Sequence, residues 1–221
     1  MPLAAAESDT LWAVIPAAWH IDHVFVLVAP GAPEAALLER AGLVPGARRE
    51  HAGQGTANVC FCFANAYLEL LFITNEAQLR SPPVATTRLW ERSRWRESGA
   101  SPFGVCLRGP GDPPVPTSQY AAPFLPQGHS IPIATDEDSP LAPMLFFAAF
   151  PPAPPPEFAN PQRLIRITIE TPVVPAWYRE VSREVPMLEL VPSGHHSMSI
   201  EVDHSHGRRL TLESLPLTIN W

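Results

Sequence analysis

The stretch HIDHVFVLV occupies residues 20–28 of the chain. It is rich in β-branched residues and predicts a strand that is buried on both faces. A short helix is predicted at residues 34–40, because Pro33 stands at its start and Gly42 lies just past its end. A further strand is expected at residues 43–50. The sequence around this first stretch therefore predicts a compact unit that begins with β-α-β.

Two more strands complete this unit, and a second unit follows. Residues 58–64 and 66–74 predict a hairpin, which gives the first unit the order β-α-β-β-β. The second unit has predicted strands at residues 102–107, 129–134 and 144–150. Prolines occupy the place of its helix, so that helix is expected to be missing or very short. Between the units, the pattern of residues 84–96 predicts an amphipathic helix.

The last part of the chain repeats the order of the first. Strands are predicted at residues 163–171 and 188–191 with a helix at 174–183 between them, and residues 197–203 and 210–219 predict another hairpin. A unit of this size must bury its sheet against another unit. We therefore expect an α+β protein whose repeated β-α-β-β-β units form curved mixed sheets.

The predicted domain organisation has four parts. Residues 1–18 form an N-terminal extension, and residues 19–150 form the paired units. Residues 151–162 form a stiff, proline-rich linker. Residues 163–221 form a third β-α-β-β-β-like unit that packs on the first two.

Composition narrows the functions that are open to this chain of 221 residues. The formal net charge is −7, and all 15 basic residues are arginine. The negative charge argues against nucleic acid as a partner, because binding a phosphate backbone requires an excess of Lys and Arg. The absence of lysine excludes Schiff-base chemistry and a P-loop, since both need an amine at a defined place.

The cysteines and the amino terminus indicate the compartment. Cys60, Cys62 and Cys106 are too few for a disulfide framework. The amino terminus lacks the basic start and unbroken apolar run of a signal peptide. The longest uncharged stretch, residues 139–156, contains too many prolines for a membrane helix. We expect a cytoplasmic protein with no membrane partner.

His23 and Glu69 are the strongest candidates for a functional pair. A charged residue within the apolar stretch 67–71 costs several kcal/mol unless it is paired or bound to a metal. An imidazole and a carboxylate from two strands of one curved sheet could converge on a divalent cation. A His–Glu hydrogen bond within the sheet, or a glutamate at a wet sheet edge, would explain the same pattern without a metal.

The segment HAGQGTAN, residues 51–58, places small residues where the backbone must approach something closely. His51, Thr56 and Asn58 are candidates for contacts with a ligand, and the last two could donate hydrogen bonds at the mouth of the sheet. A β-turn shaped by glycine, with Asn58 at the start of a strand, is the alternative explanation.

The motifs IDHV at 21–24, HAGQGTAN at 51–58 and YLEL at 67–70 occur in this order over about the first third of the chain. Together they resemble the glyoxalase-like branch of the vicinal oxygen chelate superfamily, which includes glyoxalase I, extradiol dioxygenases and the fosfomycin and bleomycin resistance proteins. The resemblance implies that the units pair into a curved half-barrel around a ligand. It also implies that His23 and Glu69 are metal ligands and that a homodimer is plausible.

The second unit departs from this resemblance. In catalytic members of the superfamily, the first and last strands of the second unit supply further metal ligands. In this chain the corresponding residues, 103–107 and 145–149, include no histidine or carboxylate. Three or more protein ligands are usual for zinc. His129 could be a third ligand, and a turn residue beside Gly128 is the alternative. The cofactor predicted for a working site is a divalent metal (Zn, Mn, Ni or Fe).

A second group of histidines, at residues 195–196 and 204–206, also resembles a metal site. A His-x-His on a strand can chelate zinc or nickel. A solvated turn at Gly207 is the simpler explanation, and the role of this group stays open.

The sequence leaves two main functions for a small-molecule ligand. The first is a metal-dependent lyase, isomerase or dioxygenase that acts on a small oxygenated molecule at His23 and Glu69, with no catalytic residue assigned. The second is a non-catalytic protein that binds or sequesters a hydrophobic or aromatic compound, with Tyr67, Phe103 and Phe147 lining the pocket. The missing ligands of the second unit favour binding, and the His–Glu pair favours catalysis. A structural interaction protein that uses its proline-rich surfaces has less support.

Overall fold

The structure is a computed structural model that describes residues 18–135, 140–148, 160–203 and 207–221. The predictions for residues 1–17, for the linker at 151–159 and for the histidines at 204 and 206 lie outside the described residues. In chain order the elements are β1 (His20–Leu27), α1 (Ala35–Arg40), β2 (Arg48–His51), β3 (Thr56–Cys62), β4 (Tyr67–Ile73), α2 (Glu76–Leu79), α3 (Pro82–Ala85), α4 (Leu89–Ser93), α5 (Trp95–Ser98), β5 (Phe103–Arg108), β6 (Thr117–Tyr120), β7 (Ile131–Ala134), β8 (Met144–Phe147), β9 (Leu164–Thr171), α6 (Tyr178–Glu184), β10 (Leu188–Pro192), β11 (Ser197–Val202), β12 (Arg209–Leu212) and β13 (Leu217–Asn220).

The first two units form one curved, unclosed sheet of eight strands in the order β2-β3-β4-β1-β5-β8-β7-β6. In the first unit, β1 pairs in parallel with β4, and β3 and β2 follow in antiparallel pairs. The second unit repeats this topology with β5 beside β8, followed by β7 and β6. The two units meet where β1 and β5 pair antiparallel. The predicted α+β class and the repeat of β-rich units in a curved mixed sheet are confirmed.

The helical segments differ from the prediction in two places, and the smaller difference is that α6 begins at Tyr178 instead of residue 174. The single helix predicted at residues 84–96 is wrong, because residues 76–98 form the four short helices α2 to α5. Pro82 begins a new helix at α3, and a proline cannot donate the backbone hydrogen bond that would continue the preceding turn. Arg88 separates α3 from α4 with a left-handed backbone, φ 57°. As predicted, the chain from β5 to β6 forms no helix.

The third unit forms its own sheet of five strands in the order β10-β9-β11-β13-β12. Its pairing differs from the first unit, because β9 pairs in parallel with the second strand of its unit, β10. The predicted hairpin of residues 197–203 with 210–219 is also wrong. A turn that contains Pro216 divides residues 209–220 into β12 and β13, and β13 pairs in parallel with β11.

The two faces of the large sheet have different roles. One face, which we call the back face, carries side chains such as Val24 and Leu68, and it shares one buried apolar cluster with Ile167 and Ile200 of the third unit. Asn160 fastens the chain that leads into the third unit to the first unit, since its buried side chain hydrogen-bonds the backbone of Val44 and Cys62 at 2.8–3.2 Å. The opposite face, the cavity face, carries the candidate pair.

Among the described residues, no helix has the length and apolar character needed to span a membrane.

Candidate functional site

A cavity of about 980 Å³ lies on the cavity face of the large sheet. Its floor comes from the central strands β4, β1 and β5, and its walls come from β2 and from the chain around β6. Phe25, Leu71, Met144 and Phe146 give it an apolar interior. The polar side chains of the site are therefore set into an apolar surround, as in most sites for small molecules.

Asp22 and His23 reach the same region because β1 contains a bulge. Ile21 pairs with Leu107 and His23 pairs with Cys106, so Asp22 is an extra residue against β5. The Asp22 carboxylate accepts a hydrogen bond from His23 Nδ1 at 2.7 Å and from Arg108 Nε at 2.6 Å. Burial raises the pKa of Asp22, but His23 and Arg108 outweigh it and lower the pKa to about 2. Asp22 is therefore an ionised anchor for both neighbours at neutral pH.

His23 presents its second nitrogen to Glu69. Its Nε2 lies 3.6 Å from Glu69 Oε2, and its ring stacks on Tyr67 with the centroids 4.3 Å apart. Burial lowers the pKa of His23, whereas the neighbouring Cys106, Asp22 and Glu69 raise it, and the net pKa lies well above the ordinary value. The imidazole is thus fixed through Nδ1 and stacked on one face, with Nε2 directed at a carboxylate.

Asn58 fixes the carboxylate. Its Nδ2 donates a hydrogen bond of 2.6 Å to Glu69 Oε1, and its Oδ1 accepts one of 3.1 Å from the backbone N–H of Arg49. The register of β3 with β4 sets Cys60 opposite Glu69 and puts Asn58 on the same face. With Oε1 engaged by Asn58, Oε2 is the oxygen that faces His23.

His51 continues the polar network on the other side of Asn58. Its Nδ1 lies 2.8 Å from Thr56 Oγ1, and its Nε2 lies 3.4 Å from Asn58 Nδ2. Thr56 Oγ1 also accepts from Gln54 Nε2 at 2.7 Å. Because an amide nitrogen only donates, Nε2 of His51 must accept and Nδ1 must carry the proton. Burial lowers the pKa of His51, which agrees with a neutral ring.

A group of contacts that we call the clasp joins the two ends of the open sheet over the cavity. Tyr120 donates a hydrogen bond of 2.9 Å to Gln54 Oε1, and the rings of His51 and Phe124 lie 4.9 Å apart. Gly53 has φ +80°, and a Cβ there would lie 2.6 Å from Cβ of Pro123. The clasp therefore holds the turn before β3 against the chain that follows β6.

The structure brings together most of the predicted site residues. Thr56 is fully buried behind His51, which it hydrogen-bonds. The others in this group line the cavity: His23, His51, Asn58, Tyr67 and Glu69.

Three predicted residues lie elsewhere or at the margin. Phe103 is fully buried with the back-face cluster, because strand alternation turns Gly104 and Cys106 toward the cavity instead. Phe147 belongs to the same cluster, although it also borders the cavity at the end of β8. His129 is exposed in a turn, where its N–H donates to Pro126 O at 3.1 Å, and it is not among the residues that line the cavity.

Several residues of the site were missed from the sequence. Strict alternation puts Asp22 on the opposite face from His23, and only the bulge reverses this. Cys106 and Phe146 face the cavity because β1, β5 and β8 set His23, Cys106 and Phe146 side by side. Tyr120 lies on a strand that was not predicted at all. Only the register of β5 with β8, which pairs Cys106 with Phe146, indicates that Phe146 and not Phe147 faces the cavity.

The donor atoms fit a divalent ion in part. Zinc–ligand distances of about 2.1 Å at a tetrahedral angle place two ligand atoms roughly 3.4 Å apart, close to the 3.6 Å between His23 Nε2 and Glu69 Oε2. Ligand atoms of Asp22, His23 and Cys106 also lie within 4.8 Å of one another. Both oxygens of Asp22 are already engaged, so Asp22 fits the role of a carboxylate that orients a metal-binding histidine.

The fold and this site can now be compared with known proteins. Residues 21–114 match the family model of a glyoxalase-like domain. The match runs from β1 to just beyond β5 and includes the His23–Glu69 pair. A crystal structure of a hypothetical protein from Staphylococcus aureus has a similar fold, with a TM-score of 0.53 and 11% identity over 91% of this chain and 98% of that one. No curated protein matches the sequence.

Proposed function

We propose that the chain is a metal-dependent enzyme of the glyoxalase-like type, in which His23 and Glu69 hold a divalent ion and the cavity receives a small oxygenated molecule. The observation that carries this proposal is that His23 Nε2 and Glu69 Oε2 face each other at a distance of 3.6 Å. Each side chain is fixed through its other donor or acceptor atom, by Asp22 or by Asn58. This is the supporting arrangement that metal-binding histidines and carboxylates usually have.

The surrounding residues have definable tasks in such an enzyme. A divalent ion supplies Lewis-acid polarisation of a substrate oxygen. Asp22 accepts a hydrogen bond from Nδ1 of His23, so Nε2 of His23 would give up its proton and offer the lone pair of that nitrogen to a bound ion. Asn58 keeps one oxygen of Glu69 engaged and the other directed inward. Phe25 and Phe146 exclude water, which strengthens every charge interaction in the cavity. Lyase, isomerase and dioxygenase reactions are all compatible with these tasks.

Binding of acetohydroxamate, which chelates metals through two neighbouring oxygens, tests the proposal. We expect it to bind wild-type protein loaded with Zn²⁺, Mn²⁺, Ni²⁺ or Fe²⁺, and to bind neither the chelator-treated protein nor Glu69→Gln loaded in the same way. Glu189→Gln is the matched control, because Glu189 is exposed on β10 of the third unit and is not among the residues that line the cavity. Equal binding to loaded and metal-free protein would contradict a metal site with open positions.

A second candidate is a protein that binds and sequesters an apolar compound without chemistry. It is favoured by the apolar interior of the cavity and by β8, whose residues Met144–Phe147 offer no histidine or carboxylate. This candidate predicts that chelator-treated protein binds an aromatic probe as tightly as metal-loaded protein, and that Glu69→Gln leaves the affinity unchanged.

A further inference from the structure

Arg49 stands apart from the other charged residues of the cavity. Arg108 is tied to Asp22, and Glu69 faces His23. Arg49 also lines the cavity, yet within the described ranges none of the ion pairs closer than 4.0 Å involves it. Glu50 and Glu69 also line the cavity, but neither lies within 4.0 Å of the Arg49 guanidinium, so this cation is available to a ligand.

The register of β2 directs Arg49 toward the cavity. Arg49 pairs with Asn58, whose side chain reaches Glu69, so both lie on the cavity face. Its neighbours Arg48 and Glu50 pair with Val59 and Ala57, which belong to the back-face cluster. Alternation along this strand therefore turns Arg49 to the cavity face and Arg48 away from it, while Glu50 still borders the cavity at its edge.

Electrostatic effects agree with this placement. Burial raises the pKa of the Cys62 thiol, and the positive charge of Arg49 opposes that rise. The same charge contributes to lowering the pKa of His51, after the larger effect of burial. The guanidinium thus acts on cavity side chains from both β2 and β3.

We propose that Arg49 binds the carboxylate, or an equivalent anionic group, of a small aromatic or apolar acid whose body fills the cavity between Arg49 and the His23–Glu69 pair. An arginine suits this role because its planar fork can bind a carboxylate through two parallel hydrogen bonds. Neighbouring strands are about 4.8 Å apart, so β2 and β4 are separated by roughly 10 Å. That spacing suits a molecule about two fused rings long. The inference names the substrate class for the site proposed above and rests on that proposal.

The test compares 2-naphthoate with 2-naphthamide, which have the same shape and differ in charge. Affinities are measured by calorimetry on chelator-treated protein, so that a metal cannot bind the carboxylate. Wild-type protein is expected to bind the acid at least tenfold more tightly than the amide. In Arg49→Met this ratio falls to near one, and in Arg49→Lys it is intermediate because the charge remains and the fork is lost.

Arg48→Met is the matched control, because it removes the same charge from the adjacent residue on the other face of the strand. It is expected to keep the wild-type ratio. Failure of the acid to bind, an unchanged ratio in Arg49→Met, or an equal loss in Arg48→Met would overturn the inference. The acetohydroxamate experiment does not depend on Arg49. If wild-type protein binds acetohydroxamate only when metal is present but does not prefer 2-naphthoate to 2-naphthamide, the inference is refuted and the proposed function stands.

Discussion

Replacement of Asp22 by asparagine is a perturbation whose size follows from the structure. The Asp22 side chain is 13% exposed and is held by His23 at 2.7 Å and Arg108 at 2.6 Å. Burial opposes ionisation of Asp22, but the net pKa falls from 3.8 to about 2. One pKa unit corresponds to about 1.36 kcal/mol, so the shift corresponds to about 2 kcal/mol of unfolding free energy at neutral pH.

The sign of the pH dependence follows from the direction of the shift. Because the folded-state pKa of Asp22 is below the unfolded value, the stabilisation is fully present above the unfolded value and is lost as the pH falls through the folded one. At pH 3 about half of it remains. Asp22→Asn cannot ionise and also leaves Arg108 without its carboxylate. We therefore expect the variant to be less stable by about 2 kcal/mol or more at pH 7, and the deficit to shrink by roughly 1 kcal/mol at pH 3.

Urea unfolding of metal-free protein at pH 7 and pH 3 measures both quantities. Glu189→Gln is the control, since Glu189 pairs with Arg166 at an exposed position and its loss should cost less than about 1 kcal/mol. A variant Asp22→Asn within about 0.5 kcal/mol of wild type at pH 7, or a deficit that is the same at both pH values, would refute the reasoning. In metal titrations the same variant should lose about 10- to 100-fold in affinity, because His23 loses its orienting partner.

Two further substitutions test the packing around the site. Gly104→Ala would place a Cβ 2.0 Å from the Phe25 ring and should cost about 1–3 kcal/mol of unfolding free energy, measured in urea. Gly194→Ala is the control and should change little, because no atom lies within 4 Å of a Cβ there. Equal effects of the two substitutions would contradict the close packing of β1 on β5. Asn160→Ala removes three hydrogen bonds that tie the chain just before the third unit to Val44 and Cys62 of the first unit, and should cost about 2–4 kcal/mol. A loss below about 1 kcal/mol would show that these bonds do not fasten the third unit.

The parts of the fold with strong local patterns could be predicted from the sequence. The apolar run at residues 20–28 and the hairpin at 58–74 give β1, β3 and β4. Alternation groups His23 with Phe25 and Glu69 with Tyr67, and the register of β1 with β4 puts both pairs on the cavity face. Segments that contain prolines were harder to predict from the sequence. Pro216 divides the strand that the apolar pattern predicted at residues 210–219, and β6 lies in a proline-rich stretch without a strand pattern.

The rest of the site depends on contacts between distant strands. The bulge that turns Asp22 toward His23 exists only because β1 pairs with β5, and the sequence of β1 alone does not reveal it. Phe146 faces the cavity, and Phe147 packs with the back-face cluster, because the register of β5 with β8 sets Phe146 beside Cys106. Tyr120 reaches Gln54 only when the curved sheet brings its two ends together.

The metal content of the purified protein tests the central claim most directly. Untagged wild-type protein, His23→Ala and Glu69→Ala are incubated with zinc, manganese, nickel or iron, freed of unbound metal and analysed for bound metal per chain. His129→Ala serves as the control, because His129 is exposed outside the cavity. The account predicts about one ion per chain in the wild type and in the control, and none in the other two variants. Wild-type protein that retains no ion of any of these metals, or variants that retain as much as the wild type, would contradict it.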